Sequence, residues 1–198
     1  MTKREVDLVG NPWLHTTTDR LRLDLPTAAD VDDLHAIHAD PESWRHFPVG
    51  RHTSRDQSVE MVAQSEKQFA QHGLGYWSVR EKADGPVVGR GGCTIPTGRP
   101  WWNLYYRFAT SVHGRGYAGE MGQRALEAAR DIEPSRPVVA YLLEHNQASR
   151  RTAERLGMTL AWRGPDRPNP DHDAIRLVYV DREPTDELIA AIEAHALG

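Results

Sequence analysis

Cysteine is nearly missing from this chain: Cys93 is the only one among 198 residues. A single thiol cannot close an internal disulfide, so the expected setting is a reducing cytoplasm and the fold must rest on its core. Long apolar runs are missing too. None approaches the ~20 residues that cross a bilayer, and the start Met1-Thr2-Lys3-Arg4-Glu5 has no hydrophobic leader, so no membrane partner is expected. There is no excess of positive charge. A net charge of -4 gives no broad basic surface, which argues against nucleic acid as a partner. Internal repeats and low-complexity segments are absent. His35 and His38 share a helix turn, with His46 and His52 further on, but no Cys/His cluster supports zinc, so no metal is expected.

What is there reads as one globular domain, 39% hydrophobic and 26% charged. Residues 1 to 15 are polar and read as loose. From Thr18 to Leu25, Leu21, Leu23 and Leu25 alternate with Arg20, Arg22 and Asp24, the pattern of a half-buried strand. Pro26-Thr27 opens a helix with Asp30 in capping-box relation, and Val31, Leu34, Ile37 and His38 form its inner stripe up to Asp40-Pro41. A second helix starts after Ser54 and closes at Gly73, with Val59, Val62 and Phe69 inside. The loop between carries Trp44 and Phe47, read first as core aromatics and second as the lining of an acceptor site.

Gly75 to Arg80 and Pro86 to Ile95 read as a hairpin turning at Lys82-Ala83-Asp84-Gly85, with Gly89, Gly91 and Gly92 marking close backbone packing. Cys93 reads as a small core residue, since nothing near it would activate a thiol. Trp101 to Phe108 is a strand. Val138 to Leu143 is a short central strand, Asn146 caps a helix that ends at Leu156-Gly157, and Thr159 to Arg163 and Ala174 to Val180 are the last strands. In the last of these Ile175, Leu177 and Tyr179 alternate. A helix from Pro184 to Leu197 follows, with Leu188, Ile189 and Ile192 on one side; it could cover a sheet edge, join a homodimer or pack on its own domain. Strands first cluster and then alternate with helices, so the class is mixed α/β (α+β), not a doubly wound parallel sheet.

The chemistry concentrates at Val112-His113-Gly114-Arg115-Gly116-Tyr117-Ala118-Gly119-Glu120, between a strand and a helix with Ala118, Met121, Ala125, Leu126 and Ala129 at helical spacing. A strand that turns through glycines into a helix start suits an anion, a phosphate or pyrophosphate above all, with Arg115 as an added cation. Gly114, Gly116 and Gly119 spell the dinucleotide fingerprint, which wants more strand–helix units after it and an acid about 20 residues on. The stretch also fits a coenzyme A pyrophosphate loop, or an ordinary glycine-rich turn. The loop alone does not choose.

Three stretches together resemble the GNAT superfamily of N-acetyltransferases, and within it the branch of the ribosomal-protein-alanine N-acetyltransferases. They are Thr18-Asp19-Arg20-Leu21-Arg22-Leu23, His113 to Glu120, and Asn146-Gln147-Ala148-Ser149 running to Leu156-Gly157-Met158. The resemblance implies a GNAT domain over residues 17–180 with extensions at 1–16 and 181–198. It implies a central, mostly antiparallel twisted sheet of about six to seven strands flanked by helices. It implies transfer of an acetyl group from acetyl-CoA to a primary amine, a protein N-terminus or a small molecule, by direct attack in a ternary complex. A catalytically idle acyl-CoA-binding regulatory module is the alternative.

For residues, the resemblance assigns cofactor binding to Phe108, Ala109, Thr110, His113, Gly114, Arg115, Gly116, Tyr117, Ala118, Gly119, Asn146, Ser149 and Arg151. Backbone amides from Phe108 to Thr110 would serve the oxyanion. Ser149 would serve the leaving thiolate, Glu144 or His145 is the candidate base, and Tyr106 or Tyr105 would order the thioester. Two positions depart from the family pattern: His113 replaces a glutamine or arginine, and Asn103 replaces an acid.

Overall fold

The computed structural model describes residues 8–81 and 84–196. The start Met1–Glu5, the turn residues Lys82 and Ala83, and Leu197 at the end of the predicted last helix lie outside the described residues. Eight strands form one sheet among the described residues, one more than the sequence count allows. The extra strand is β1 (His15–Thr17), which begins at the end of the stretch that reads as loose. It pairs with β2 (Leu21–Asp24), Thr16 opposite Leu23. Leu25 N donates to Leu14 O at 2.8 Å, and the Trp77 indole donates to Trp13 O at 2.6 Å. Leu21 and Leu23 are fully buried, as their alternation requires.

Helix α1 (Val31–Ala39) starts where the capping signal puts it. Asp30 accepts from Thr27 N at 2.8 Å, and the same buried carboxylate accepts from Ser78 Oγ at 3.0 Å and pairs with Arg80. The helix start is thereby tied to β3 (Tyr76–Glu81). Helix α2 (Arg55–His72) ends at left-handed Gly73, whose N–H donates to Phe69 O at 2.8 Å. Val62 and Phe69 are buried as expected; Val59 is not, at 42% exposed, because it lies off the stripe that meets α1 and the sheet.

The remaining elements are β4 (Val87–Thr94), β5 (Trp102–Phe108), α3 (Tyr117–Ile132), β6 (Val138–Leu143), α4 (Gln147–Arg155), β7 (Thr159–Pro165), β8 (Ile175–Val180) and α5 (Asp186–Ala196). The spatial order is β1-β2-β3-β4-β5-β6-β8-β7, and every neighbouring pair is antiparallel except β5 with β6. Helices α3 and α4 pack into the larger core with Leu104, Phe108, Ala140 and Leu142. On the other face α1 and α2 cover one half, and α5 covers the other with Val139, Val178 and Val180.

Strand β8 is therefore buried on both sides, not alternating. Val178 and Val180 face α5, while Leu177 and Tyr179 face the larger core. Of the options open for the last helix, α5 packs on its own domain, and burial of Leu188 and Ile192 contributes about 1.5–3 kcal/mol each.

Glycine is required in β4 by its neighbours. A Cβ on Gly91 would stand 2.7 Å from Tyr105 O, a backbone atom of β5, and would run into the methyl of Met121 on α3. Gly91→Ala should cost about 1–3 kcal/mol of stability, read as a lower urea midpoint at unchanged slope.

Candidate active site

Strands β5 and β6 are neighbours for two residue pairs only. Trp102 faces Val138, Asn103 faces Val139, and Trp102 N donates to Pro137 O at 2.9 Å. Beyond that, β5 follows β4 as far as Phe108 and β6 follows β8 as far as Leu143. The two strands part and open a gap in the middle of the sheet. Hydrogen-bonding groups alternate in direction along a strand. Ala109 N donates to Val88 O at 2.9 Å, so its amide faces β4, while those of Tyr106 and Phe108 face the gap. The expected row of donors from Phe108 to Thr110 is thus corrected at Ala109: Phe108 offers its amide to the gap and Ala109 does not.

After β5 the chain passes a short turn at Thr110–Val112 and two left-handed glycines, Gly114 (φ 79°) and Gly116 (φ 81°). Only glycine takes that backbone freely. Turn bonds engage His113 N and Arg115 N, to Thr110 O at 3.2 Å and Val112 O at 3.4 Å. The first bond inside α3 is Glu120 N to Gly116 O at 3.2 Å. The amides of Tyr117, Ala118 and Gly119 precede it and point out of the helix end. A Cβ on Gly114 or Gly119 would meet nothing within 4 Å, so the space over this end is open. Outward amides, the helix dipole and open space make an anion site.

The loop's side chains hold it in place instead of facing that opening. Arg115 pairs with Glu81 of β3, and the buried Tyr117 donates to the same carboxylate at 2.9 Å. Arg20 donates to Arg115 O at 2.9 Å, and both guanidiniums lie over the Tyr117 ring, at 4.9 and 4.8 Å. Arg115, expected as an added cation beside the anion, is paired with Glu81. His113 Nε2 donates to Phe108 O at 3.1 Å and ties the loop back to the end of β5.

Across the gap, Asn146 caps α4 by accepting from Ser149 N at 3.1 Å. Tyr106 reaches over from β5 and donates its hydroxyl to Ser149 O at 3.2 Å. Burial pushes the Tyr106 phenol up, so it stays protonated. The structure thus brings Tyr106, Asn146 and Ser149 together beside the gap.

A family profile for the acetyltransferase (GNAT) domain matches residues 20–159. The chain belongs to the GNAT acetyltransferase family. Solved structures share its fold. A GNAT-family acetyltransferase of Bordetella pertussis is 22% identical, with a TM-score of 0.71 over 85% of this chain and 99% of that one. An acetyltransferase of Agrobacterium tumefaciens is 24% identical, with a TM-score of 0.69 over 85% and 94%. A ribosomal alpha-N-protein acetyltransferase in complex with coenzyme A is 17% identical, with a TM-score of 0.70 over 85% and 98%. As a GNAT member the chain is an acetyl-CoA-dependent N-acetyltransferase. Among the described residues no helix is long and apolar enough to cross a membrane, and no group of three His, Cys, Asp or Glu could hold a metal ion.

Within this GNAT chain the other expected residues divide. Glu144 is engaged by Arg163 at 2.7 and 3.2 Å. The hydrogen bond from Arg163 holds its carboxyl below the usual carboxylate range, which makes it a poor base and corrects that assignment. Arg151 is exposed near the start of α4 and its side chain makes no hydrogen bond or ion pair among the described residues, unlike Arg150, which pairs with Glu154 at 2.9 Å. Cys93 is fully buried and its thiol is pushed up by burial. His35 and His38 do not act as a pair: His35 contacts Ser58 Oγ at 3.0 Å, and burial pushes His38 down to about 2. Asn103 donates to Tyr76 Oη at 2.8 Å.

On the far side of the sheet is a second opening, where the second of the two readings of Phe47, the lining of a site, fits better than the first. Side chains alternate along β5, so Arg107 points away from Tyr106 and donates to Ser43 O, its guanidinium 3.4 Å from the centre of the Trp44 ring. The connector between α1 and α2 is drawn over the gap in this way. Phe47 on it is 37% exposed, not core, and lines a pocket of about 310 Å³ with Leu143 and Asn169. No periodicity signals this pocket, since its walls come from three separate segments.

One carboxylate fixes the entry to α3. Glu120 accepts from Thr18 Oγ1, from Arg20 N at 2.7 Å and from Arg20 Nε at 2.7 Å. Burial alone would raise its pKa; the bonds from Thr18 and Arg20 outweigh it and hold the carboxyl below 4.5. A depressed folded pKa gives stability that is present above the unfolded value and lost as pH falls through the folded one. Glu120→Gln should therefore lower the urea midpoint at pH 7, and the difference from wild type should close as pH drops below about 4.5.

Proposed function

We propose that this enzyme moves the acetyl group of acetyl-CoA directly to a primary amine, with both substrates bound at once and no acyl-enzyme. The parting of β5 from β6 beside an open helix end carries this reading. The amides of Tyr117, Ala118 and Gly119, with Gly114 and Gly116 giving room, suit the diphosphate of the donor. The gap suits its extended arm. Phe108 N–H then faces the place where negative charge develops on the acetyl oxygen, a position where a fixed donor is effective. Ser149 and Tyr106 border the sulfur side, and Arg151 is free to meet the nucleotide end.

Direct transfer is supported by the layout. Donor features lie with α3 and α4 on one face, and the pocket under the α1–α2 connector lies on the other. A covalent relay through sulfur would need a reactive thiol, and burial keeps Cys93 protonated and inaccessible. The acceptor class is a primary amine, either a protein N-terminus or a small molecule.

Acetyl-CoA with a panel of N-terminal peptides, amino acids and aminoglycosides should release free thiol with one class; silence across the panel would count against the reading. Gly116→Ala forces a side chain into a left-handed backbone at about 1–2 kcal/mol. It should raise KM for acetyl-CoA about tenfold and leave kcat nearly unchanged.

A further inference from the structure

The pocket opposite α3 and α4 contains a pair of imidazoles. Arg45, His46 and Phe47 of the α1–α2 connector form one wall, Leu143 and His145 come from the end of β6, and Asp171 comes from the β7–β8 loop. The rings of His46 and His145 lie 5.1 Å apart between centres, inclined at 37°. His145 follows β6 by two residues, so the pair stands at the open end of the gap. Arg45 Nε donates to His46 Nε2 at 3.2 Å, so that nitrogen carries a lone pair and the ring is neutral.

The surroundings keep it so. Burial first, then the charges of Arg45 and His145, push His46 down; Glu42, paired with Arg45 at 2.6 Å, pulls the other way, and Arg107 of β5 adds a positive charge. Asp171 faces the same pocket across from them. Two imidazoles this close resist carrying two charges at once.

An aliphatic amine reaches the enzyme as an ammonium ion, which has no lone pair for attack. We infer that the His46–His145 pair lines the acceptor entrance and that His145, whose ring makes no hydrogen bond among the described residues, takes the proton from the acceptor ammonium while Arg45 holds His46 neutral beside it. This assignment rests on the acetyl transfer proposed above and fills the role that Arg163 denies to Glu144. R–NH₃⁺ gives one proton to the free imidazole nitrogen of His145 and becomes the free amine. Its lone pair forms the C–N bond, the C–S bond breaks, and the second N–H proton ends on the departing thiolate. The imidazolium returns its proton to water, so one proton is released per turnover.

Two measurements test the pair. The first needs no substrate: in histidine-labelled protein followed by NMR, His46 should be neutral at pH 7, and its titration midpoint should rise in His145→Gln. A charged His46 at pH 7, or a midpoint indifferent to His145→Gln, overturns the inference. The second compares an alanyl peptide, mostly ammonium at pH 7, with methoxyamine, already neutral there. In the double variant His46→Gln/His145→Gln, kcat for the peptide should fall about a hundredfold, and the acid limb of its pH profile should move toward the amine's own pKa. The loss with methoxyamine should stay within about threefold. Equal losses with both amines would mark the pair as structural and overturn the inference, as would no loss with the peptide. If wild type acetylates neither amine, the transfer reading fails for these acceptors, while the NMR titration still decides whether the pair is coupled and neutral.

Discussion

A sheet that parts at its centre creates a debt of hydrogen bonds. Buried backbone amides and carbonyls must find partners, and after Asn103 and Val139 the two strands no longer supply them to each other. Much of this structure answers that requirement. Each strand is secured on its outer side, β5 by β4 and β6 by β8, over more pairs than the two they share. The Phe108 carbonyl takes a bond from His113, and the Tyr106 hydroxyl bridges the opening to the backbone of α4. What is left facing the gap is a small set of backbone groups in a fixed direction. A site that must meet an acyl group and a diphosphate benefits from such groups, because they need no reorganisation when the ligand arrives.

Charge and backbone divide the work at the adjoining loop. Arg20, Glu81, Arg115 and Glu120 are matched with one another, and their interactions run from the residue before β2 and from β3 to the loop and to α3. Exposed pairs of this kind contribute about 0–1 kcal/mol each, so their importance lies in position more than in energy. They set the helix end at a fixed height above the sheet. The ligand-facing surface is then made of amides and of space that side chains would fill. This arrangement also adds to a charge-based reading of the loop at Arg115: a cation next to a phosphate loop can be a brace for the loop.

Local rules made most elements legible. The Leu21/Leu23 alternation, the Thr27–Asp30 cap, the stop at Gly73, the glycines before α3 and the Asn146 cap each act within a few residues, and each stands where sequence puts it. What the sequence hid was relational. Alternation says which face of a strand is buried, not which strand lies beside it, so the residues of Trp101–Phe108 and Val138–Leu143 do not themselves announce that they part; only the family resemblance implies a gap between them. β1 is three polar residues whose order comes from pairing with β2 and from Trp13 and Leu14 behind it. Val59 fits a helical stripe and still faces solvent, since the stripe is narrower than the pattern suggests. Glu144 looks like a base until Arg163, on the neighbouring hairpin, is placed next to it.

The same distinction separates donor recognition from acceptor recognition. The donor side is built from elements fixed by the core: the end of β5, the start of α3 and the first turn of α4. On the proposed reading, the acceptor side is built from connectors, residues 42–52 and the β7–β8 loop. Those connectors are nevertheless well anchored. Asp166 is 3% exposed and pairs with Arg176 at 2.6 Å, Asn169 N donates to Asp166 O at 2.9 Å, and Arg107 and Trp44 secure the facing segment. Exchange of Phe47, Val49 or Asp171, at the tips, would change the pocket wall without touching these anchors or the sheet. Selectivity for the amine can therefore vary independently of acetyl donor binding. The histidine pair lies between the two regions, with His145 on the end of β6 and His46 on the connector. The proton acceptor inferred there would keep its distance from the gap when the tips change, so the chemistry that activates an amine need not depend on which amine is chosen.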